Sequence, residues 1–407
     1  MPMEMCVKQF AQLGFALSIT LATLAIRCLG QPAGGADSLR QTAIAQEQQG
    51  NTAAAESEWR AFVKVHPANA EAYAHLGFLK ARQERYAEAV PLYEKALALN
   101  PAISGVRLDL GLSLFKSGDL RGAIQTFTPL LKNEPPSSPE RLRLTTLIGL
   151  AHYGLGEYAA AVPFMKAATE HDPQNLPFRL VLAHSCLWAK QYQCVLDVYH
   201  QILTLNAESA EADMLAGEAY DEMKNDANAV QQFRAAAKAD PKLPNVHFGL
   251  GYLLWRLMQY EEAAQQFKAE LANNPQHAEA LTYLADTDIR MSQPDAALPP
   301  LEEAIRINPA IALAHLDLGV LYGDNGRKDD ALRELKEAVE LSPNDENAHW
   351  RLARFYQSNG RKLEARAEFD KTRSLQKAED ESIFSKLRKA QEKGKPSEQT
   401  TPGSPVN

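Results

Sequence analysis

The sequence lacks the motifs on which much enzyme chemistry depends. It contains no phosphate-binding G-x-x-x-x-G-K-[ST] loop, no G-x-G-x-x-G turn, no H-E-x-x-H helix and no G-x-S-x-G elbow. Its histidines are scattered along the chain, and carboxylate runs such as YEEAAQQF are typical of solvated helix faces. We therefore expect a protein that is not an enzyme and that needs no metal and no cofactor.

The chain also lacks an excess of positive charge. The chain has 43 lysines and arginines against 51 aspartates and glutamates, which gives a formal net charge of −8 and an isoelectric point of about 5.8. A protein that binds nucleic acid by electrostatic attraction presents a basic patch or stripe. We therefore expect no nucleic-acid partner.

Cysteines are few, and none of the four forms a C-x-x-C pair, which argues against a redox enzyme or haem attachment. Cys186 and Cys194, in CLWAKQYQC, flank a short predicted turn between two helices. Two interpretations stay open for them. They form a disulfide, which requires suitable geometry, or they are two small buried thiols at a helix interface.

Charge is absent from residues 9–26, QFAQLGFALSITLATLAI, which follow Lys8 and precede Arg27 and a stretch of small residues. This layout is typical of a secretory signal peptide, and the run is also long enough for a marginal membrane anchor. The sequence predicts a signal peptide or N-terminal membrane anchor over residues 1–30 and a linker over 31–35. It thus predicts an exported protein, periplasmic or otherwise extracytoplasmic, in a bacterial envelope.

The sequence does contain a repeat. The stretch YAEAVPLYEKALALNP, which begins at Tyr86, recurs in register in ten copies at steps of 34 residues, with a short insertion near 136–141. Each copy has the apolar spacing of a helix, and a second amphipathic helix and a short turn precede it. A fixed period of this size indicates stacked helix–turn–helix units, each of which buries its apolar face on its neighbours.

Small residues recur at two positions of the unit. In the second repeat these are Gly77 in the first helix and Ala89 in the second, followed one turn later by the bulky Tyr93. Glycine inside a helix costs up to about 1 kcal/mol relative to alanine. Its recurrence therefore predicts that the two helix backbones approach closely there.

This pattern of glycine or alanine, an aromatic residue, alanine and a closing proline resembles the tetratricopeptide repeat (TPR) over residues 36–379. The resemblance implies an all-α fold, a right-handed α-solenoid of about ten repeats. The charged segment 380–393 is predicted to be a C-terminal capping helix, because terminal repeats need a polar outer face. The polar, proline-rich segment 394–407 is predicted to be a disordered tail.

The resemblance also implies a concave groove built mainly from the first helix of each repeat. We expect this groove to hold an apolar or aromatic-anchored segment whose basic residue meets the acidic sixth repeat. The alternative is that some of these side chains pack between adjacent first helices. Carrying the groove positions over gives Leu112, Phe115, Leu150, Tyr153, Leu187, Trp188, Glu218, Asp221, Glu222, Phe248, Tyr252, Trp255 and Arg256.

The predicted function is thus a non-catalytic scaffold or adaptor that binds extended or helical protein segments. The family's carboxylate clamp of lysine, asparagine and arginine is not reproduced here. Two alternatives remain open: a structural solenoid that associates with itself, and an accessory subunit of an envelope enzyme complex.

Overall fold

The protein is all-α over the residues that the computed structural model describes, 35–205 and 209–393. This part of the chain forms twenty helices and no strand. They are α1 (Gly35–Gln48), α2 (Thr52–Val65), α3 (Ala70–Arg82), α4 (Tyr86–Leu99), α5 (Val106–Ser117), α6 (Leu120–Asn133), α7 (Pro139–Gly154), α8 (Tyr158–His171), α9 (Leu176–Trp188), α10 (Tyr192–Thr204), α11 (Ala210–Glu222), α12 (Asp226–Ala239), α13 (Val246–Arg256), α14 (Tyr260–Asn273), α15 (Ala278–Arg290), α16 (Pro294–Ile307), α17 (Ala312–Asp324), α18 (Lys328–Leu341), α19 (Glu346–Ser358) and α20 (Lys362–Lys393).

The chain divides into two compact units, Met1–Met223 and Lys224–Asn407. In the first unit the hairpin pairs are α1–α2, α3–α4, α5–α6, α7–α8 and α9–α10, and in the second they are α13–α14, α15–α16, α17–α18 and α19–α20. Within each unit, the second helix of a repeat also packs on the first helix of the next. The predicted solenoid of helix–turn–helix units is therefore confirmed.

The close approach between paired helices is also confirmed in both units. A Cβ atom on Gly111 would lie 2.3 Å from the ring of Phe127, and one on Gly251 would lie 2.8 Å from the ring of Phe267. Ala123, the small residue of the second helix, is fully buried. Because a larger side chain would overpack these contacts, the small residues set the spacing of the pair.

Most of the insertion near 136–141 is absorbed at the start of α7. The Ser138 hydroxyl caps this helix by accepting a hydrogen bond from the Arg141 amide, and Pro139 occupies the first turn, where a missing amide hydrogen is tolerated. The helix has 16 residues, against 13 in α9. The extra residues thus lengthen a first helix, and its small residue Gly149 still meets Met165 of the second helix.

At the other end, α20 runs without a break from Lys362 to Lys393. One helix therefore contains both the second helix of the tenth repeat and the segment predicted as a separate capping helix, and the capping role stays a prediction. The predicted signal peptide or anchor over 1–30, residues 31–34 of the predicted linker over 31–35 and the tail over 394–407 lie outside the described residues, whereas Gly35 already begins α1. None of the described helices has the combination of length and apolar character needed to cross a membrane.

Candidate functional site

The first unit presents an exposed tryptophan on the first helix of the fifth repeat. The Trp188 side chain, at the end of α9, is 62% exposed. Its ring stacks on Tyr158 with 6.0 Å between ring centroids, and Tyr153 packs edge-on against Tyr158 at 5.8 Å. An aromatic platform with one open face is therefore available to a ligand.

Carboxylates of α11 approach this platform through His184, whose ring packs edge-on against Tyr153 with 6.4 Å between centroids. Glu222 accepts a hydrogen bond from the Tyr192 hydroxyl at 3.2 Å, and Glu211 lies 2.9 Å from Nε2 of His184. Glu218 and Asp221 are half-buried on the same helix. We call the set of Tyr153, Tyr158, His184, Trp188, Glu211, Glu218, Asp221 and Glu222 the Trp188 surface.

Glu218 is a half-buried carboxylate of the Trp188 surface. Burial raises the pKa of its carboxyl, Asp221 and Glu222 raise it further, and His184 opposes them. Among the described residues, none donates a hydrogen bond to this carboxylate. A donor with positive charge would therefore gain both a hydrogen bond and charge neutralisation at Glu218.

The apolar residues predicted for the groove of this unit are less available. Leu112 and Phe115 are partly buried against the core formed by the second to fourth repeats, and Leu150 is partly buried against the core of the fourth to sixth. Leu187 is only 8% exposed and belongs to that second core. For Leu187 the structure thus matches the alternative interpretation, packing between helices.

In the second unit the predicted groove residues mostly contact their own chain. The Trp255 indole nitrogen donates a hydrogen bond to Oδ2 of Asp286 at 2.5 Å, and Nε of Arg290 donates to the same oxygen at 2.6 Å. The Arg290 guanidinium also lies over the Trp255 ring, 5.0 Å from its centroid. Trp255 is thereby held from two sides.

The neighbouring rings close this cluster. Tyr283 packs edge-on against Tyr252 at 5.3 Å and against Trp255 at 5.1 Å, while Phe248 lies 4.8 Å from the ring of His277. Burial raises the pKa of Tyr283 to about 12. We call Phe248, Tyr252, Trp255, Tyr283, Asp286 and Arg290 the Trp255 cluster.

The fourth predicted residue of this unit, Arg256, forms an ion pair with Asp226 at 2.6 Å. Sequence reasoning missed Asp286 and Arg290. They stand 34 residues after Tyr252 and Arg256, so the same repeat positions pointed to them. The side chains that hold Trp255 in place therefore come from the next repeat.

A buried acid lies beside the Trp255 cluster. Oδ2 of Asp317 is buried and has no hydrogen-bond partner. Burial raises the pKa of Asp317 well above its ordinary value and Asp286 raises it further, while Arg290 and Arg351 oppose this. In the first unit, Asp109 occupies the same repeat position, and burial raises its pKa to about 6. The repeated LDLG segment is the sequence signal for both acids.

Cys186 and Cys194 are joined as a disulfide. Their Cα atoms are 5.8 Å apart, inside the usual range for such bridges. The bridge connects the last turn of α9 to the first turn of α10, close to Trp188. Over the described part of the chain, histidines, cysteines and carboxylates form no group of three or more that could hold a metal ion.

Comparison with protein-family models identifies the repeat. Models described as tetratricopeptide repeat match residues 80–148 and 143–175. A further model with the same description matches residues 40–102, 196–244, 248–309, 284–346 and 316–380.

Curated relatives share part of their length with this chain. The BBSome complex member BBS4 of Bos taurus is 25% identical over 293 residues, which cover 72% of this chain and 55% of the relative. The CTR9 homolog of Arabidopsis thaliana is 24% identical over 58% of this chain and 22% of the relative. The chain thus spans from about a fifth to about half of the length of these two relatives.

Solved structures with helical repeats also match. A tetratricopeptide repeat protein from Parabacteroides merdae is 20% identical with a TM-score of 0.46, covering 60% of this chain and 96% of that one. The protein titled MamA is 22% identical with a TM-score of 0.36, covering 40% of this chain and 96% of that one.

Proposed function

The chain belongs to the tetratricopeptide repeat family, and on this premise we propose that it is a non-catalytic scaffold that binds protein segments on the Trp188 surface. The observation that carries the proposal is the exposed ring of Trp188 on the surface where α11 carboxylates contact His184 and Tyr192. Exposed aromatic residues cluster at sites of protein interaction, where they supply most of the binding energy. One curated relative is, by its name, a member of a multiprotein complex, which fits a scaffold role.

The chemistry of the surface defines the bound segment. An apolar or aromatic side chain would cover the Trp188 ring, and a lysine or arginine a few residues away would meet Glu218 and its neighbours. A cation near the indole also gains from its ring electrons. The ligand is thus a basic segment with an apolar anchor.

Selection of a displayed random dodecapeptide library on the full chain tests this proposal. We expect the selected peptides to carry a net positive charge and an aromatic or aliphatic residue. Trp188→Ala should weaken a selected peptide about tenfold or more, as for a central interface residue. Leu203→Ala, which removes an exposed side chain from the second helix of the same repeat, is the matched control. Equal affinities for the two variants would reject the Trp188 surface as the binding site.

We further propose that the protein is exported, with its N-terminal segment either cleaved or retained as an anchor. The signal-like layout of residues 1–30 supports this, and so does the disulfide between Cys186 and Cys194, because disulfides persist in oxidising compartments. Expression of the full chain in a bacterium, followed by fractionation and thiol alkylation with and without reduction, is the test. We expect envelope localisation and two thiols that react only after reduction. Intact chain in the cytosol with both thiols reactive would contradict export.

A further inference from the structure

The last repeat carries the other exposed tryptophan of the described chain, in a basic setting. Trp350, on α19, is 40% exposed. The guanidinium of Arg351 lies 5.3 Å from the centroid of its ring and that of Arg354 lies 5.7 Å away. We call these three residues the Trp350 surface.

The two arginines of the Trp350 surface have no carboxylate partner within ion-pair distance among the described residues. Other first-helix arginines of the same unit are paired, Arg256 with Asp226 and Arg290 with Asp286. Cation–π contact at an exposed site stabilises a pair only weakly. Two guanidiniums held around one indole therefore leave positive charge that no ion pair within the described ranges neutralises.

The rest of α19 fixes the direction of this surface. His349, Leu352 and Tyr356 are buried, and Nδ1 of His349 lies 2.6 Å from Oε2 of Glu368 on α20. These contacts hold the opposite side of α19 against its partner helix. Trp350 and both arginines consequently remain on the side of the helix that faces solvent.

Negative charge near the Trp350 surface is limited. Asp317, on α17, interacts electrostatically with Arg351, and burial raises the pKa of its carboxyl well above the ordinary value. Glu346, at the start of α19, contacts Gln376. Among the described residues no carboxylate forms an ion pair with this surface, which leaves its two arginines available to an acidic ligand.

We propose that the Trp350 surface binds an acidic protein segment, with a carboxylate held by Arg351 and Arg354 and an adjacent apolar side chain against Trp350. Guanidinium and carboxylate match in plane and spacing, which makes such pairs short and directional. The indole supplies rigid apolar contact area beside them. This site is additional to the Trp188 surface and requires the opposite charge in its ligand.

A nucleic acid is the less suitable occupant. Phosphate backbones are followed by a row of lysines and arginines, whereas this surface has two arginines in a chain of net charge −8. A single-stranded dT12 oligonucleotide is included in the test so that this alternative has its own result.

The experiment uses the full chain and a displayed dodecapeptide library. Peptides selected on the wild type are compared with those selected on Arg351→Ala/Arg354→Ala. One selected acidic peptide and its counterpart with lysine in place of each acid are then measured by fluorescence anisotropy. Trp350→Ala and Arg354→Lys probe the ring and the planar guanidinium. Arg366→Ala, an exposed arginine on α20 of the same repeat, is the matched control.

We expect a class of acidic peptides in the wild-type selection that disappears from the double variant. Binding of the chosen peptide should weaken about tenfold or more in the double variant and in Trp350→Ala, fall partly in Arg354→Lys and stay unchanged in Arg366→Ala. Circular dichroism checks that each variant keeps its helices. The acidic peptide should also bind Trp188→Ala normally, so failure of this site and failure of the Trp188 surface are distinguishable.

Three results would overturn the proposal. The first is a wild-type selection without acidic peptides. The second is an acidic class that the double variant retains. The third is binding of dT12 that is tighter than peptide binding and lost in the double variant, which would assign the surface to nucleic acid.

Discussion

Trp188 in the first unit and Trp350 in the second are alike in exposure and opposite in surroundings. Trp188 shares its surface with the carboxylates of α11, which act on His184 and Tyr192, whereas the Trp350 ring has two arginines next to it. Both lie at exposed positions of first helices, where the packing of the repeat does not fix the residue type. The difference teaches that one packing scheme can carry two surfaces with opposite ligand preferences.

Packing in the two units, by contrast, follows the same rule. A glycine of the first helix meets an aromatic ring of the second in each, as Gly111 meets Phe127 and Gly251 meets Phe267. Equivalent core substitutions should therefore lower the stability of both units by similar amounts. Substitutions at the two exposed tryptophans should instead affect the binding of different ligands. The following predictions test this distinction, from the largest expected effect to the smallest.

Truncating an equivalent ring should cost the same in either unit. Phe127→Ala and Phe267→Ala each remove a fully buried side chain, and we expect each to lower local stability by about 3–5 kcal/mol. Because repeat proteins unfold in parts, native-state hydrogen exchange of each unit is the suitable measurement. Leu363→Ala removes an exposed side chain and should change exchange little. A cost confined to one unit would show that the packing rule is not shared.

Reduction of the disulfide should affect the stability of the two units differently. The disulfide between Cys186 and Cys194 spans eight residues, and opening it should destabilise the first unit by about 2–3 kcal/mol through loop entropy. The second unit contains no cysteine and should not respond. Hydrogen exchange with and without a reductant measures both units at once. In a Cys186→Ala/Cys194→Ala variant the reductant should have no effect, and a remaining effect there would argue against the disulfide as its cause.

The buried acids should make stability fall as pH rises. The pKa of Asp109 is about 6 in the folded chain, above its ordinary value of 3.8, so the folded state retains a proton that the unfolded state releases. Stability of the first unit is then lost between about pH 4 and pH 6, by about 2–3 kcal/mol, and this contribution is constant above that range.

Replacement by leucine should remove this pH dependence. Asp109→Leu introduces the side chain that Leu147 and Leu215 supply at the same repeat position, and we expect it to abolish the loss above pH 4. Asp317→Leu should likewise stabilise the second unit at neutral pH, because burial also raises the pKa of Asp317. Urea unfolding across pH is the measurement. A leucine variant with the wild-type slope would show that another group titrates.

The exposed tryptophans should matter least for stability. Trp188→Ala and Trp350→Ala remove side chains that are 62% and 40% exposed, and we expect changes within about 0.5–1 kcal/mol for each. Thermal unfolding followed by circular dichroism is sufficient to check this. A loss of 2 kcal/mol or more, on the order of a buried side chain, would mean that the ring serves packing.

The repeat architecture could be predicted because its causes are local and recur every 34 residues. The small residues Gly77 and Ala89 predict where the two helix backbones approach, and Tyr93 is the ring that packs between these helices. The groove was harder to predict, because the environment of Trp255 is set by Asp286 and Arg290 from the next repeat. Sequence position alone could not tell that this ring is engaged.

The charges around the two exposed tryptophans could also be predicted only in part from the sequence. The acidic residues of the sixth repeat were recognised from the sequence, whereas the unpaired state of Arg351 and Arg354 depends on which carboxylates lie within reach. The disulfide was one of two open interpretations, because helix register does not fix the distance between Cys186 and Cys194. Such facts depend on contacts between repeats and require coordinates.

The central claim, two surfaces with opposite ligand charge, is tested most directly by a crossed binding measurement. A basic and an acidic selected peptide are each titrated by anisotropy against wild type, Trp188→Ala and Arg351→Ala/Arg354→Ala. The account predicts that the basic peptide loses affinity only in Trp188→Ala and the acidic peptide only in the arginine variant. Loss of both peptides in one variant, or of neither in both, would contradict it.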